Sequence, residues 1–200
     1  LAYRVLRKQP DARVIGGDFT FSMLTVARAR EQSLRPSTSS GCTEPAETRT
    51  SHFKHGTRNS ELGTQLAWLN LDALVMPFAP ETFDAVMMAY GLRNMADPLS
   101  SLKEIARVLK LGGTVAILDF GRPSNPIIRF IYHFLLKTIQ PALGWLFFRD
   151  SETYRYIYES LLRYPAQEGI TRLLNETGFT QITCHNLSLG IMSLHVATKR

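Results

Sequence analysis

Residues 83–120 read FDAVMMAYGLRNMADPLSSLKEIARVLKLGGTVAILDF, and their hydrophobic pattern sets the fold class. Residues 83–90 and 114–120 are almost continuously apolar, which is typical of strands that are buried on both faces of a sheet. Between them, residues 100–109 have apolar side chains at helical spacing and end at a Lys-Leu-Gly-Gly run. Buried strands separated by a helix predict an α/β protein with a parallel sheet that helices cover on both faces.

The residues upstream continue the alternation of helices and strands. Residues 1–9 carry apolar side chains at helical spacing, which predicts a helix. Residues 12–18 (ARVIGGD) include β-branched residues and end in Gly-Gly-Asp, which predicts a short strand. Ser22 is a suitable N-cap for a helix that continues to Arg30. Residues 65–71 are a further strand candidate.

The end of the chain has a different pattern. Residues 166–177 predict a helix that stops at Gly178, and residues 181–187 and 191–199 predict two strands. The link between these strands has only a few residues, so it permits only antiparallel pairing. We therefore expect an α/β sheet that is finished by an antiparallel hairpin.

Residues 31–64 differ in composition from the rest of the chain. Of these 34 residues, 12 are Ser or Thr and five are apolar, and the four basic side chains balance the four acidic ones. Such a segment buries too little apolar surface to offset the entropy of ordering it, which predicts a disordered surface insertion. The functional alternative is a regulatory or metal-binding loop that uses Cys42, His52 and His55.

Length, charge and cysteine content exclude several classes of protein. Two hundred residues suit a single domain, here residues 1–200 with the insertion. The net charge of +6 is scattered without a run of like charges, which argues against nucleic-acid binding. Two cysteines cannot form a disulfide framework or a zinc site alone, so we expect no metal site and a reducing, cytoplasmic compartment.

Residues 126–148 are apolar enough to require a test for membrane insertion. Arg129 and Lys137 lie inside the segment and Pro141 interrupts it, and each central Arg or Lys costs roughly 2.5 to 3.5 kcal/mol on insertion. We therefore expect no membrane span. Arg129, His133 and Lys137 recur every four residues and form a polar stripe on an apolar helix, which predicts a cover over a long hydrophobic substrate or contact with a membrane surface. Plain packing in the core is the alternative.

Several motifs occur in an order that resembles the S-adenosylmethionine (SAM) methyltransferases. They are Gly17-Asp18-Phe19-Thr20, Leu71-Asp72-Ala73 with Met76-Pro77-Phe78, and Phe83-Asp84-Ala85-Val86. Tyr90-Gly91-Leu92-Arg93-Asn94, the run from Arg107 to Gly113, and Leu118-Asp119-Phe120 sharpen the resemblance to the menaquinone and ubiquinone biosynthesis C-methyltransferases. The resemblance implies the Rossmann-like class I methyltransferase fold and SAM as the cofactor.

The resemblance also implies residues that bind the cofactor. Asp18 follows a strand end, where ligands of open α/β sheets bind, and its carboxylate is expected to accept hydrogen bonds from the ribose hydroxyls. Asp72 and Ala73 match the positions that contact adenine. Ala89 matches a position where some relatives carry a small hydroxyl residue, so that side-chain hydrogen bond is lost here. The alternatives are an ordinary turn aspartate for Asp18 and plain loop residues for Asp72 and Ala73.

Arg93 is the expected catalytic residue. The family transfers a methyl group to a ring carbon of an isoprenoid quinol, and a guanidinium stabilises the oxyanion that develops on the ring. A structural role, with Arg93 bonded to loop carbonyls or a carboxylate, is the alternative. Asp119 is either a base or a helix cap. Tyr154, Tyr156 and His195 either line the acceptor pocket or belong to the core.

One departure from the family bears on activity. The family's first strand and its glycine-rich SAM motif have no match in this chain, so we expect the N-terminal portion of the domain to be missing. Two interpretations remain open, an enzyme and a non-catalytic remnant or interaction module of the same fold. For the enzyme we expect demethylmenaquinol as a lipophilic acceptor, with a ubiquinone-pathway benzoquinol as the alternative, and peripheral contact with the inner face of the membrane.

Overall fold

The computed structural model describes residues 2–9, 11–18, 20–34, 66–139, 142, 158–162 and 164–200. The chain divides into two compact units, Leu1–Asp72 and Ala73–Arg200. The expectation of one methyltransferase domain stays a prediction. Residues 35–64 of the predicted insertion, including Cys42, His52 and His55, lie outside the described residues.

The first unit contains two helices and two strands. They are α1 (Ala2–Lys8), β1 (Val14–Asp18), α2 (Phe21–Leu34) and β2 (Leu66–Asn70). The strands β1 and β2 are parallel, and Asp18 pairs with Asn70 at their carboxyl ends. Glycine is required at position 16 because a Cβ atom there would overlap the ring of Trp68. Helix α2 extends four residues beyond the predicted end at Arg30, so the start of the predicted insertion at residue 31 is helical.

The second unit is built on a four-stranded sheet. Its elements are β3 (Phe83–Ala89), α3 (Pro98–Val108), β4 (Leu109–Phe120), α4 (Pro126–Phe134), α5 (Ala166–Glu176), β5 (Phe179–Leu187) and β6 (Met192–Lys199). The strand order is β3-β4-β6-β5, with β3 and β4 parallel and β6 antiparallel to both β4 and β5. The predicted antiparallel hairpin is therefore confirmed.

The core of this unit lies between the sheet and helices α3 and α5. Leu102 and Ile105 on α3 are fully buried, and so is Leu174 on α5. Helix α3 begins where Asp97 accepts a hydrogen bond from Ser100 N at 3.2 Å, with Pro98 in the first turn. Proline suits this position because its missing N–H has no helical partner to lose.

Strand β4 starts earlier than predicted. Residues 110–113 were expected to end the preceding helix, but they belong to the first part of the strand. Gly112 has a φ of +74°, a backbone conformation that residues other than glycine rarely adopt. The glycine pair therefore bends a continuous strand, and the register with β3 shifts between Phe83 and Ala85.

Two strands pair on one edge only. Among the described residues, β1 pairs with β2 alone, and β3 pairs with β4 alone. Each of these two strands therefore has one edge without a strand partner among the described residues.

A charged pair on α3 fixes the loop that precedes β3. Glu104 accepts hydrogen bonds from Met76 N at 2.7 Å and from Arg107, whose guanidinium also donates to the carbonyl oxygens of Phe78 and Met76 at 2.8 and 3.1 Å. The hydrogen bond from Arg107 is the main reason that the pKa of Glu104 lies below its ordinary value. The folded state therefore favours the ionised carboxylate.

We expect Glu104→Gln to lower the free energy of unfolding near neutral pH by about 1 kcal/mol, because a hydrogen bond to a charged group is lost. A carboxylate whose pKa is lowered by folding stabilises the protein above its unfolded pKa and loses that effect as the pH falls. The difference between wild type and Glu104→Gln should thus shrink below about pH 4.5, the ordinary value for Glu.

Urea unfolding at several pH values measures this difference. Glu176→Gln, an exposed position at the end of α5, is the matched control and should show no such pH-dependent difference. A constant difference between wild type and Glu104→Gln from neutral pH to pH 3 would contradict the role assigned to the carboxylate.

Candidate active site

Asp18 lies at the carboxyl end of β1 and is half-buried. Its Oδ1 accepts a hydrogen bond from Thr20 N at 2.7 Å, at the start of α2. Its carbonyl oxygen accepts hydrogen bonds from Leu71 N at 3.1 Å and from Asn70 Nδ2 at 2.9 Å. The residue that precedes Asp72 is thus tied directly to Asp18, so both carboxylates belong to the same edge of the β1–β2 pair.

The resemblance to methyltransferases implies that this edge binds the nucleoside part of SAM. No described residue donates a hydrogen bond to Oδ2 of Asp18, so this oxygen can accept one from a ribose hydroxyl. Asp72 is exposed. Ala73 and Ala89 belong to the second unit, where Ala89 is the exposed last residue of β3. The binding roles of these four residues stay predictions.

Arg93 lies in a 3₁₀ turn, Leu92–Asn94, that follows β3. Leu92 is fully buried and anchors the turn in the core. Tyr90 has a φ of +55° at the strand end, and its carbonyl oxygen accepts a hydrogen bond from Asn94 Nδ2 at 3.1 Å. A strained backbone that neighbouring bonds hold in place is common at functional sites.

The Arg93 side chain is 12% exposed and contacts Ser160 and the end of strand β4. Its Nη1 donates to Ser160 Oγ at 2.9 Å, and its guanidinium lies over the Phe120 ring at 5.1 Å from the centroid. Its Nε is 3.6 Å from Asp119 Oδ1, close enough for an ion pair, but it donates no hydrogen bond. The structure thus shows the contact with a carboxylate that a structural role of Arg93 predicts. It also leaves Nε of Arg93 without a hydrogen-bond acceptor.

Asp119 on β4 is 1% exposed. It accepts hydrogen bonds from Arg93 N, in the 3₁₀ turn, at 3.3 Å and from Phe120 N at 2.8 Å. The base and helix-cap interpretations of Asp119 stay predictions. Burial raises the pKa of Asp119, although these amides and the Arg93 charge oppose that shift. Burial and the nearby Asp119 carboxylate raise the pKa of Tyr164, whose hydroxyl therefore stays protonated.

A small cavity of about 20 Å³, open to solvent on one side, lies beside this cluster. The side chains that line it come from the end of β4, from α4 and from the region before α5: Gly121, Arg122, Tyr132, His133, Leu161, Tyr164 and Ala166. Two of its polar atoms, Tyr132 Oη and His133 Nδ1, are buried without a hydrogen-bond partner. No group of three His, Cys, Asp or Glu side chains within the described ranges is arranged to hold a metal ion.

Comparison with known proteins decides the family. The profile of the ubiE/COQ5 methyltransferase family matches residues 11–199. The chain belongs to this family. A Paracoccus denitrificans protein named ubiquinone/menaquinone biosynthesis C-methyltransferase UbiE is 30% identical over 199 residues, which is 100% of this chain and 69% of that protein. The Pasteurella multocida protein of the same name is 37% identical over 138 residues, or 69% of this chain and 52% of that protein.

Solved structures confirm the class I methyltransferase fold. A Haemonchus contortus phosphoethanolamine N-methyltransferase 2, in complex with phosphomonomethylethanolamine and S-adenosylhomocysteine, has a TM-score of 0.62 at 16% identity. The match covers 99% of this chain and 46% of that one. A SAM-dependent methyltransferase from Aquifex aeolicus has a TM-score of 0.58 at 14% identity, with 99% and 76% covered. SAM is the cofactor of this methyltransferase family.

Helix α4 has the opposite orientation to a simple amphipathic surface helix. Its apolar side chains are exposed, including Ile127, Phe130 and Phe134 at 69%, 72% and 51%. The polar positions Arg129 and His133 are only partly exposed and face the protein, whereas Lys137 is exposed. Tyr132 is buried, so one side of α4 packs into the protein while the other side exposes apolar residues. The substrate-cover and core-packing interpretations both stay predictions. The helix changes to a π turn, Leu135–Ile139, and no helix among the described residues is long and apolar enough to cross a membrane.

Gln167 fixes the loop that carries Gly121 and Arg122 into the cavity wall. Its Oε1 accepts a hydrogen bond from Arg122 N at 2.8 Å, and its Nε2 donates to Asn186 Oδ1 at 3.0 Å. A Cβ atom at Gly121 would lie 2.5 Å from Gln167 Nε2, so only glycine fits. His195 is 1% exposed and its Nε2 contacts Gln167 O at 3.1 Å, which places it in the core. Tyr154 and Tyr156 lie outside the described residues.

The sequence motifs point to Arg93 and Asp119 as candidate site residues. They do not predict the neighbours that the structure places beside these two, which are Ser160, Tyr132 and Tyr164. Tyr164 lies far from Asp119 in sequence, and its position next to that residue depends on how the segment before α5 packs. Tyr132 carried a weak signal, because it is a polar-tipped aromatic residue beside the polar stripe of α4.

Proposed function

We propose that this protein transfers a methyl group from SAM to a ring carbon of an isoprenoid quinol. Among acceptors we favour demethylmenaquinol, with a ubiquinone-pathway benzoquinol as the second candidate. The preference rests on the residues 119–123 (DFGRP), which resemble the menaquinone enzymes. The relatives named above are named for both quinone pathways, which supports either acceptor.

The observation that carries this proposal is the position of Arg93. Its guanidinium is nearly buried, lies over the Phe120 ring, and keeps Nε without a hydrogen-bond acceptor. In such a place, which excludes most water, a positive charge stabilises a developing anion much better than it would in bulk solvent.

The chemistry explains why a cation is needed. A quinol ring carbon becomes nucleophilic when a ring hydroxyl loses its proton, and negative charge then collects on the ring oxygen. Bound SAM supplies the electrophilic methyl group. Arg93 stabilises the oxygen anion, and Asp119 and Ser160 hold the guanidinium in position.

We further propose that the exposed apolar face of α4 lies on the membrane in which a polyprenyl acceptor resides. Residues 120–149 contain three arginines and one lysine but no acidic residue. An amphipathic helix with nearby basic side chains binds anionic lipid surfaces without spanning them. The protein would then be a peripheral membrane protein at the inner, cytoplasmic face, with α4 leading the tail of the acceptor toward the cavity.

Transfer of a labelled methyl group from SAM to reduced demethylmenaquinol tests the catalytic proposal. We expect methylated quinol from the wild-type chain and less or none from the benzoquinol precursor. A preference for the benzoquinol would assign the second pathway. SAM binding without transfer to either acceptor would contradict the proposal and favour a non-catalytic module.

Asp18→Ala should raise the dissociation constant of SAM by about 10-fold or more, because a hydrogen-bonded carboxylate is worth roughly 1.5 to 3 kcal/mol. Asp11→Ala, at an exposed position in the turn before β1, is the matched control and should leave SAM binding unchanged. Isothermal titration calorimetry measures both. Equal affinities for the two variants would remove the ribose-binding role of Asp18.

Vesicle sedimentation tests the membrane proposal. The double variant Phe130→Ser and Phe134→Ser should weaken binding to phosphatidylglycerol vesicles at low salt by about 10-fold or more, since each Phe contributes on the order of 1.5 to 3 kcal/mol when buried. Leu111→Ser, which removes an apolar side chain that is 67% exposed on β4, is the control. No binding by the wild-type chain would overturn this proposal.

A further inference from the structure

The cavity beside Arg93 holds more unsatisfied polar groups than a structural cavity should. Tyr132 Oη and His133 Nδ1, on side chains that line the cavity, are buried without a hydrogen-bond partner, and so are Arg93 Nε and Arg129 Nε outside its lining. Each such atom costs about 1 to 3 kcal/mol when it stays unpaired. A ligand can supply the missing partner of such atoms, and Tyr132 Oη and His133 Nδ1 together suit a ligand that presents a hydroxyl group.

Their chemistry divides these groups into donors and an acceptor. Burial raises the pKa of Tyr132 to about 12, so its hydroxyl stays protonated and can donate. The Arg93 Nε is a donor by nature. The Tyr164 hydroxyl interacts with Asp119, and Asp119 already accepts from two backbone amides and faces Arg93. Of the unsatisfied atoms, only the imidazole of His133 can therefore accept a proton.

The surroundings of His133 keep its imidazole neutral. Burial and the charges of Arg122 and Arg129 lower the pKa of His133 below its ordinary value. The rings of Tyr132 and Tyr158 contact it, with centroids 5.7 and 6.1 Å away. Tyr164 lies on the wall of the same cavity, and none of these groups is a carboxylate that would stabilise the protonated imidazole. A neutral imidazole has one nitrogen with a free lone pair.

We propose that this cavity receives a ring hydroxyl of the aromatic acceptor, that His133 accepts the proton of this hydroxyl, and that Tyr132 donates a hydrogen bond to the same oxygen. The assignment rests on the proposed methyl transfer to a quinol. It makes His133 a catalytic base and gives α4 two functions, because its inner face then carries chemistry while its outer face meets lipid.

Methyl transfer begins at the hydroxyl group of the acceptor. The hydroxyl O–H bond breaks, its proton moves to His133, and the electron pair passes through the ring to the adjacent carbon. That carbon forms a bond to the methyl group as the bond from the methyl carbon to the sulfonium sulfur breaks, and sulfur keeps the electron pair. The methylated carbon then loses its hydrogen as a proton to a solvent water molecule, and the C–H electron pair makes the ring aromatic again. The ring oxygen regains its proton from His133, so one proton is released to solvent for each methyl group transferred.

Two probes separate recognition of the hydroxyl from binding of the ring. Naphthohydroquinone, kept reduced under argon, offers hydroxyl protons, and its dimethyl ether does not. We expect the wild-type chain to bind the hydroquinone about 10-fold more tightly by calorimetry, and His133→Gln and Tyr132→Phe each to remove most of this preference. His185→Gln, on exposed β5, is the matched control and should keep it.

The thermal midpoint of Tyr132→Phe and the pH dependence of the transfer rate distinguish a functional from a structural role of Tyr132 and His133. Tyr132→Phe should not lower the thermal midpoint, because the hydroxyl it removes has no partner. In the transfer assay, His133→Gln should lower kcat by about 100-fold with unchanged SAM affinity. The wild-type rate should fall as the pH drops through the lowered pKa of His133, below 6.5, and His133→Gln should lack this acid limb.

The binding and transfer assays together test whether His133 and Tyr132 contact the ring hydroxyl. If both variants keep the wild-type preference and rate, the assignment is overturned and the proposed methyl transfer stands. If the wild-type chain prefers the hydroquinone through His133 and Tyr132 but transfers no methyl group, the hydroxyl contacts stand, while the base role and the proposed function fall together. No preference for the hydroquinone in the wild-type chain would overturn the assignment whatever the rate.

Discussion

The contact between Arg93 and Asp119 is the interaction on which the rest of the site depends. Removing one member of a buried pair leaves an uncompensated charge, which typically costs about 3 to 5 kcal/mol. The pair is retained although Asp119 is 1% exposed and burial raises its pKa. Burying two charges lowers the free energy of unfolding unless their pairing compensates for the lost hydration. Such a pair is expected where function needs a positive charge in a fixed position.

Strand β4 links the fold to this chemistry. It is the central partner of β3 and β6, it carries Asp119 near its carboxyl end, and the loop that follows it forms part of the cavity wall. Asp119 is buried on β4, and its Oδ2 accepts a hydrogen bond from the backbone N–H of Arg93 in the 3₁₀ turn at 3.3 Å. Gln167 closes the other side by pinning the loop at Arg122. The same packing that stabilises the sheet therefore positions the charged groups.

The sequence predicted the elements whose signals are local. The strands at residues 83–90 and 114–120 were visible because continuous apolar runs indicate burial on both faces, and the hairpin followed from a short link. The early start of β4 was missed because Gly112 and Gly113 resemble a helix stop. Periodicity showed two faces on α4 but not which one is buried, since that depends on the polar cluster it covers. Ser160 and Tyr132 reach the site through contacts distant in sequence, which no local pattern reveals.

The most direct test of this account is the turnover of Arg93→Lys, measured at saturating SAM and quinol together with the affinity for SAM. Lysine keeps the charge but not the planar guanidinium that Asp119, Ser160 and Phe120 hold in place. The account predicts that kcat falls by about 100-fold while SAM binding is unchanged, because the loss falls on the charge that develops during transfer. A kcat within about two-fold of wild type would contradict it, since the position of the guanidinium would then not matter to the reaction.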